Sequence, residues 1–185
     1  MQPKYREEEL VRAAQRGDQE AFARLYEGNA DRVYNYLLGR MAQPADAEDI
    51  TAEVFLRAMK ALSSYKPKGV PFVAWLFRIA HNQALNYMKQ QTRRKEVPLL
   101  DTVIASDDPA EVAVSRVTSN EVSRAMSGLT DLQREVLSLR FAGQLSIAET
   151  AKAMKRSEEA VKFLQHSALR ALQRILAQQE GRAHG

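Results

Sequence analysis

Apolar residues recur along this chain at the three- and four-residue spacing of helices and only rarely in the alternation of strands. Tyr5 to Arg16 predicts a short helix, stopped at Gly17, with Asp18 as the N-cap of the next. Phe22, Tyr26, Val33, Leu37 and Met41 then make one apolar stripe, weakened at Gly28 and ended by Pro44. Asp46 is placed as the cap of a helix whose Ile50, Val54, Ala58 and Ala61 face inward as far as Ser63-Ser64. The loop SYKPKGVP has two prolines and a glycine and reads as irregular. A long helix follows, from Phe72 to about Arg94.

Glu96 to Pro109 (EVPLLDTVIASDDP) has no usable period and reads as an extended connector. Ala110 to Met126 predicts a helix on Val112, Val117 and Val122, and Leu132, Val136, Leu137, Leu139 and Phe141 line another that ends at Gly143. Ser146 and Glu149 form a capping box, in which each side chain reaches the other's backbone amide. The two-turn helix it starts runs to Met154, Lys155-Arg156 make a turn, and Ser157 caps a longer helix with Val161, Leu164, Ala168, Leu172 and Ile175 inside. That succession matches helix-turn-helix geometry, where the second helix enters the major groove. The expected fold is all-α: an N-terminal helical bundle (1–95) and a C-terminal helix-turn-helix domain (126–185), joined by a flexible acidic linker (96–125).

Charge sharpens this division. Residues 1–95 hold 16 Lys/Arg against 11 Asp/Glu, residues 96–125 hold 2 against 6, and residues 126–185 hold 9 against 6. Two basic blocks flanking an acidic connector suggest a polyanion partner. Zero cysteines remove disulfides, thiolate chemistry and Cys-based metal sites, and fit a reducing cytoplasm. MQPKYREEEL has no signal-peptide core, and no apolar run is long enough to span a bilayer, so a cytoplasmic protein without membrane insertion is expected. His81, His166 and His184 are scattered, and no nucleophile–base motif or phosphate-cradling glycine loop occurs. No catalytic residue, metal or cofactor is therefore expected.

Three stretches carry candidate chemistry. Asp46, Glu48, Asp49 and Glu53 cluster in the first turns of one helix, next to Val54-Phe55-Leu56, which point in three neighbouring directions. This is either helix-dipole chemistry beside a broad buried face or an acidic–apolar patch for a partner's basic helix. In WLFRIAHNQALNYMKQQTRRK, Leu76, Ala80, Ala84, Tyr87 and Met88 form the inner stripe, while Arg78, Asn82, Asn86, Lys89 and Arg93 fall opposite. Cations follow a phosphate backbone, amides reach base edges, and rings such as Trp75 and His81 stack on unpaired bases, a set suited to opened DNA. Trp75 equally fits the core, and Lys66 and Lys68 in the preceding loop offer a second place for an extruded base. On the last helix Glu159, Lys162, Phe163, His166 and Arg170 face outward. Lys162 and Arg170 suit phosphates, His166 a base edge and Phe163 a thymine methyl, against the alternative of a solvated hairpin face. Glu158 and Glu159 would repel phosphates nearby.

Taken in order, these pieces resemble the extracytoplasmic-function class of bacterial RNA polymerase sigma factors. GDQEAFARLYEGNADRVYNYL looks like the family's first conserved region, and DAEDITAEVFLRA like the helix that docks on the clamp coiled coil of the polymerase's largest subunit. FVAWLFRIAHNQALNYMKQQTRR looks like the segment that recognises and melts the minus-ten element, and LTDLQREVLSLRFAGQLSIAETAKAMKRSEEAVKFLQH like the minus-thirty-five reader. The resemblance implies that Asp46, Glu48, Asp49, Glu53, Phe55 and Arg57 dock on core polymerase. It implies minus-ten contacts for Lys66, Lys68, Trp75, Arg78, His81, Asn82, Asn86, Lys89 and Arg93, and minus-thirty-five contacts for Ser157, Glu159, Lys162, Phe163, His166 and Arg170. Implied partners are core RNA polymerase (clamp coiled coil and flap), promoter DNA and an anti-sigma factor. The chain departs from the family's usual Gln at Ala52, aromatic at Asn29, Asp at Asn86, Pro at Thr130 and Ser-Arg at Phe163-Leu164. A stand-alone helix-turn-helix regulator would leave the N-terminal block without a role. An enzyme built on Glu48, Asp49 and Glu53 would lack a nearby histidine to complete a metal site.

Overall fold

The computed structural model describes residues 4–41, 43–95, 122 and 124–183, which are helical almost throughout. In the N-terminal lobe, α1 (Lys4–Gln15) and α2 (Gln19–Glu27) meet at a tight corner. Gly17 makes that corner at φ +93°, a backbone region that a Cβ disfavours, and the Asp18 carboxylate accepts the Ala21 N–H at 3.1 Å. Then come α3 (Ala30–Leu38), α4 (Pro44–Ala61), a short 3₁₀ turn and α5 (Phe72–Lys95). Pro44 opens α4 where the sequence suggested that it closes the preceding helix, and Gln43 rather than Asp46 is the N-cap residue. The first turn has no use for an amide hydrogen, and proline's fixed φ suits it. Val33, Leu37, Val54, Ala58, Leu76 and Ala80 are fully buried between α3, α4 and α5. The expected stripe fails at Tyr26, which is 45% exposed; α2 buries Ala21 and Leu25 instead.

In the C-terminal lobe, residues 124–127 are helical and lead to α6 (Asp131–Leu137), which continues as a π turn over Ser138–Ala142. Then follow α7 (Ile147–Met154) and α8 (Glu158–Ala183). The Ser146–Glu149 capping box forms as expected, and a second one, Thr130–Gln133, starts α6. Ser157 accepts the Ala160 N–H at 3.1 Å, and Lys155 closes α7 in the left-handed region at φ 54°. Leu129, Val136, Leu137, Ala151, Val161 and Ala168 make the lobe's core. The π turn widens the helix at Phe141, which stands 59% exposed rather than lining it, and Leu132, in the first turn of α6, is 44% exposed.

The two lobes are packed against each other, which a flexible tether does not predict. Helix α7 lies on α5 and the π turn on α3. Leu139 and Leu145, from the C-terminal lobe, are buried within the N-terminal lobe's apolar cluster. Gly143 fits beneath Phe77: a Cβ there would stand 2.7 Å from Phe77 Cε1 and 2.9 Å from the Leu139 carbonyl. The connector and most of the helix expected over Ala110 to Met126, with Val112 and Val117, lie outside the described residues; Val122 is exposed.

Candidate nucleic-acid interface

Helix α4 turns Ala47, Thr51, Val54 and Ala58 inward, leaving Glu48, Asp49, Leu56 and Arg57 exposed and Asp46 and Glu53 half-buried. Glu53 Oε1 accepts from Arg57 Nε at 2.6 Å, an exposed pair of small energetic weight. Asp46 accepts the Tyr87 hydroxyl, which ties the start of α4 to α5. Phe55 departs from its expected place on the docking face. It is 5% exposed and stacks edge-on against Tyr26 at 4.7 Å, so the outward apolar positions are Leu56 and Met59. On a helix only one of three consecutive residues points fully away from the core, and here that residue is Leu56.

Helix α5 divides its candidates into two groups. Asn82, Asn86, Lys89 and Arg93 are exposed, as are Lys66 and Lys68 in the loop before it. Trp75 is half-buried against Tyr65 and Phe72, with ring centroids 4.9 and 5.7 Å away. Arg78 and His81, expected on the open DNA-facing line, instead face the other lobe. Arg78 Nε donates to the Lys152 carbonyl at 3.0 Å, and His81 Nδ1 lies 3.0 Å from Glu135 Oε1. On α8 the outward residues Ser157, Glu159, Lys162, His166 and Arg170 are all exposed, and Phe163 is 74% exposed, the most open large apolar side chain among the described residues. An aromatic ring left in water beside Lys162 and His166 is available for contact with a partner.

Sequence reasoning missed the cluster at the seam. Glu135 from α6 is buried between the lobes, where Oε1 accepts from the Tyr36 hydroxyl at 2.9 Å and Oε2 from Arg40. The Arg40 and Glu135 side chains are 7% and 9% exposed. Burial pushes the Glu135 carboxyl up, but the His81 hydrogen bond, the Arg40 charge and the Tyr36 hydroxyl outweigh it and hold the group below the usual carboxylate range. Burial, reinforced by the Glu135 charge, drives the Tyr36 hydroxyl well above the tyrosine norm. A carboxylate depressed in the folded state stabilises it above the unfolded value, and that contribution is lost as pH falls through the folded one. A tyrosine raised in the folded state contributes below its unfolded value and loses that contribution as pH rises through the folded one. Thermal midpoints should therefore fall on acidification below about pH 4 and again above about pH 10, the reference carboxylate and tyrosine values. Glu135→Gln should flatten the acid limb and Tyr36→Phe the alkaline one.

Among the described residues, no cluster of His, Asp and Glu is placed to hold a metal, and no helix is long and apolar enough to cross a membrane. The family model for sigma-70 region 2 matches residues 25–94, and that for sigma-70 region 4 matches residues 125–174. The ECF RNA polymerase sigma factor BldN of Streptomyces coelicolor is 38% identical over 171 residues, which cover 91% of this chain and 65% of that protein. The chain thus spans just under two thirds of the length of this relative. The ECF sigma factor SigK of Mycobacterium ulcerans is 29% identical over 172 residues, covering 90% of this chain and 91% of that one. Among solved structures, CnrH in complex with the cytosolic domain of CnrY superposes with a TM-score of 0.70 at 24% identity, over 93% of this chain and 97% of that one. RpoE of Bartonella quintana, in complex with the anti-sigma factor NepR, gives 0.63 at 19% identity, over 84% and 96%. Both share the fold.

Proposed function

Because the chain belongs to the extracytoplasmic-function class of RNA polymerase sigma factors, we propose that it binds core polymerase and directs it to promoters, without an active site of its own. Residues 1–95 dock on the polymerase and take the melted minus-ten strand, 126–185 read the minus-thirty-five element as duplex, and 96–125 link the two. The observation that carries this reading is the amphipathic division of three helices. Each turns its apolar side to a core and leaves a different chemistry outside: carboxylates on α4, amides and cations on α5, and a ring with cations on α8. Acidic groups suit a basic protein helix, amides and cations suit an opened strand, and a ring beside a histidine suits base edges in the major groove. Unstacking a base costs on the order of a few kcal/mol, offset by contacts to the extruded base.

The solved relatives CnrH and RpoE are held by CnrY and NepR, which supports an inhibitory anti-sigma partner here as well. The test is co-elution with core polymerase followed by run-off transcription. Glu48→Lys with Asp49→Lys, both exposed, should leave the helical content unchanged while weakening polymerase binding about 10- to 100-fold, since each reversed rim charge opposes the partner's field. Undiminished co-elution would remove α4 as the docking helix.

A further inference from the structure

Between the last turns of α4 and the middle of α5 lies an open groove of about 620 Å³. Three exposed cations line it, Arg57 and Lys60 from α4 and Lys89 from α5. Half-buried Ala61, Ile79 and Leu85 give it apolar walls. Gln83 also lines it, is only 7% exposed, and its side chain makes no hydrogen bond to any described residue. Its amide is not sealed off, however. The fully buried side-chain atoms without a partner, among the described residues, are Arg40 Nε and Thr150 Oγ1, so the Gln83 amide reaches solvent through the groove. A glutamine held this far inside a protein normally spends its amide on a neighbour. This one is left uncommitted.

We propose that this groove is a pocket for one extruded base of the opened strand, with the Gln83 amide on the base edge and Lys60 and Lys89 on the flanking phosphates. The inference rests on the proposed minus-ten role of α5, whose exposed Asn82 and Asn86 line the same groove. A glutamine amide sets a donor beside an acceptor, and the pairing edge of a base presents the complementary pair. That edge is free only once the base has left its stack and its partner. The apolar walls suit the faces of a ring, and the cations suit the charge on either side of it. An acidic peptide would meet the cations but would offer no flat group to the walls and the amide. The pocket is separate from the loop bearing Lys66 and Lys68, neither of which lines it. It also gives Arg57, expected to dock on polymerase, a place beside the strand, while its Nε stays on Glu53.

The test uses holoenzyme and fluorescein-labelled single strands that carry the minus-ten element of a promoter selected with it. One strand is intact, and each of the others lacks the base at a single position. With the unmodified protein, anisotropy should show one position at which base removal weakens binding about tenfold through this pocket. Gln83→Leu should weaken binding of the intact strand by the same factor and make base removal at that position cost nothing further. Its thermal midpoint should not fall, because no hydrogen bond within the protein is lost. Should Gln83→Leu lose its helical circular dichroism, the unbranched Gln83→Met carries the same measurement. Lys60→Ala should weaken all the strands alike and reduce the slope of log affinity against log salt by about 0.7, one phosphate's share. Equal binding by a folded Gln83 variant, or a loss not tied to one position, overturns the pocket and leaves Asn82 and Asn86 on the strand. Competition by a free deoxynucleoside monophosphate at micromolar concentration would mark a mononucleotide site and overturn the strand assignment. Failure of the unmodified holoenzyme to bind the intact strand overturns the minus-ten reading itself.

Discussion

Phe77→Ala lowers the stability of the chain by about 3–5 kcal/mol, read as a shift of the urea midpoint at constant slope. The ring is fully buried. It meets Tyr36 edge-on at 5.4 Å and lies under the Arg32 guanidinium, whose carbon stands 5.9 Å from its centroid. Gly143 of the other lobe fits against its rim. Truncation removes apolar contacts from both lobes at once, and the space left has poor means of closing. Tyr36 is held by its bond to Glu135, and the Gly143 turn by Arg32. Cavities that cannot collapse lie at the costly end of the range. Phe163→Ala provides the internal control. That ring is 74% exposed, so its loss should move the midpoint by less than about 0.5 kcal/mol while weakening promoter discrimination.

Arg40→Ala produces a second large loss, also about 3–5 kcal/mol, for an electrostatic reason. Among the described residues, the arginine is the one Lys or Arg that Glu135 pairs with, and both side chains are out of water. Removing one partner leaves a carboxylate desolvated and short of a counter-charge. The paired replacement Arg40→Met with Glu135→Leu should cost far less, and a neutral or stabilising outcome is expected, because two apolar groups of similar volume carry no desolvation penalty. Arg40 Nε is buried without a hydrogen-bond partner, so the native pair is not fully satisfied to begin with. A double-mutant cycle on these two positions separates the value of the pair from the cost of orphaning half of it.

The helices themselves were legible where local chemistry decides. Asp18, Ser146 and Ser157 cap as their positions suggest, and the inner stripes of α5 and α8 follow helical spacing. Pro44 was read the wrong way round because a proline fits equally after one helix and at the head of the next. Phe141 was placed inside because a uniform period of 3.6 was carried through a turn that is wider, whereas Leu132 precedes that turn and is exposed at the head of α6. The exposed faces of α4, α5 and α8 were read from the same periodicity, so the candidate site was largely visible. Phe55 was misplaced because three successive apolar residues do not announce which one points out.

The seam was the part that local pattern does not encode. Glu135 lies 99 residues from Tyr36 and 95 from Arg40, and no spacing rule joins Tyr36, Arg40, His81 and Glu135. One signal was available. Glu135 sits directly beside Val136 and Leu137 on the buried side of α6, and a charge in such a place calls for a counter-charge from elsewhere in the fold.

The π turn at Ser138–Ala142 acts as an angular offset. One additional residue is accommodated there, so everything downstream is rotated by roughly 100° from where an unbroken α-helix would place it. Within the turn, Leu139 is buried in the neighbouring lobe's cluster while Phe141 is exposed. Deleting a single residue at Ala142 would restore the ordinary pitch and swing the following corner out of alignment, even though every side chain engaged across the boundary would still be present in the sequence.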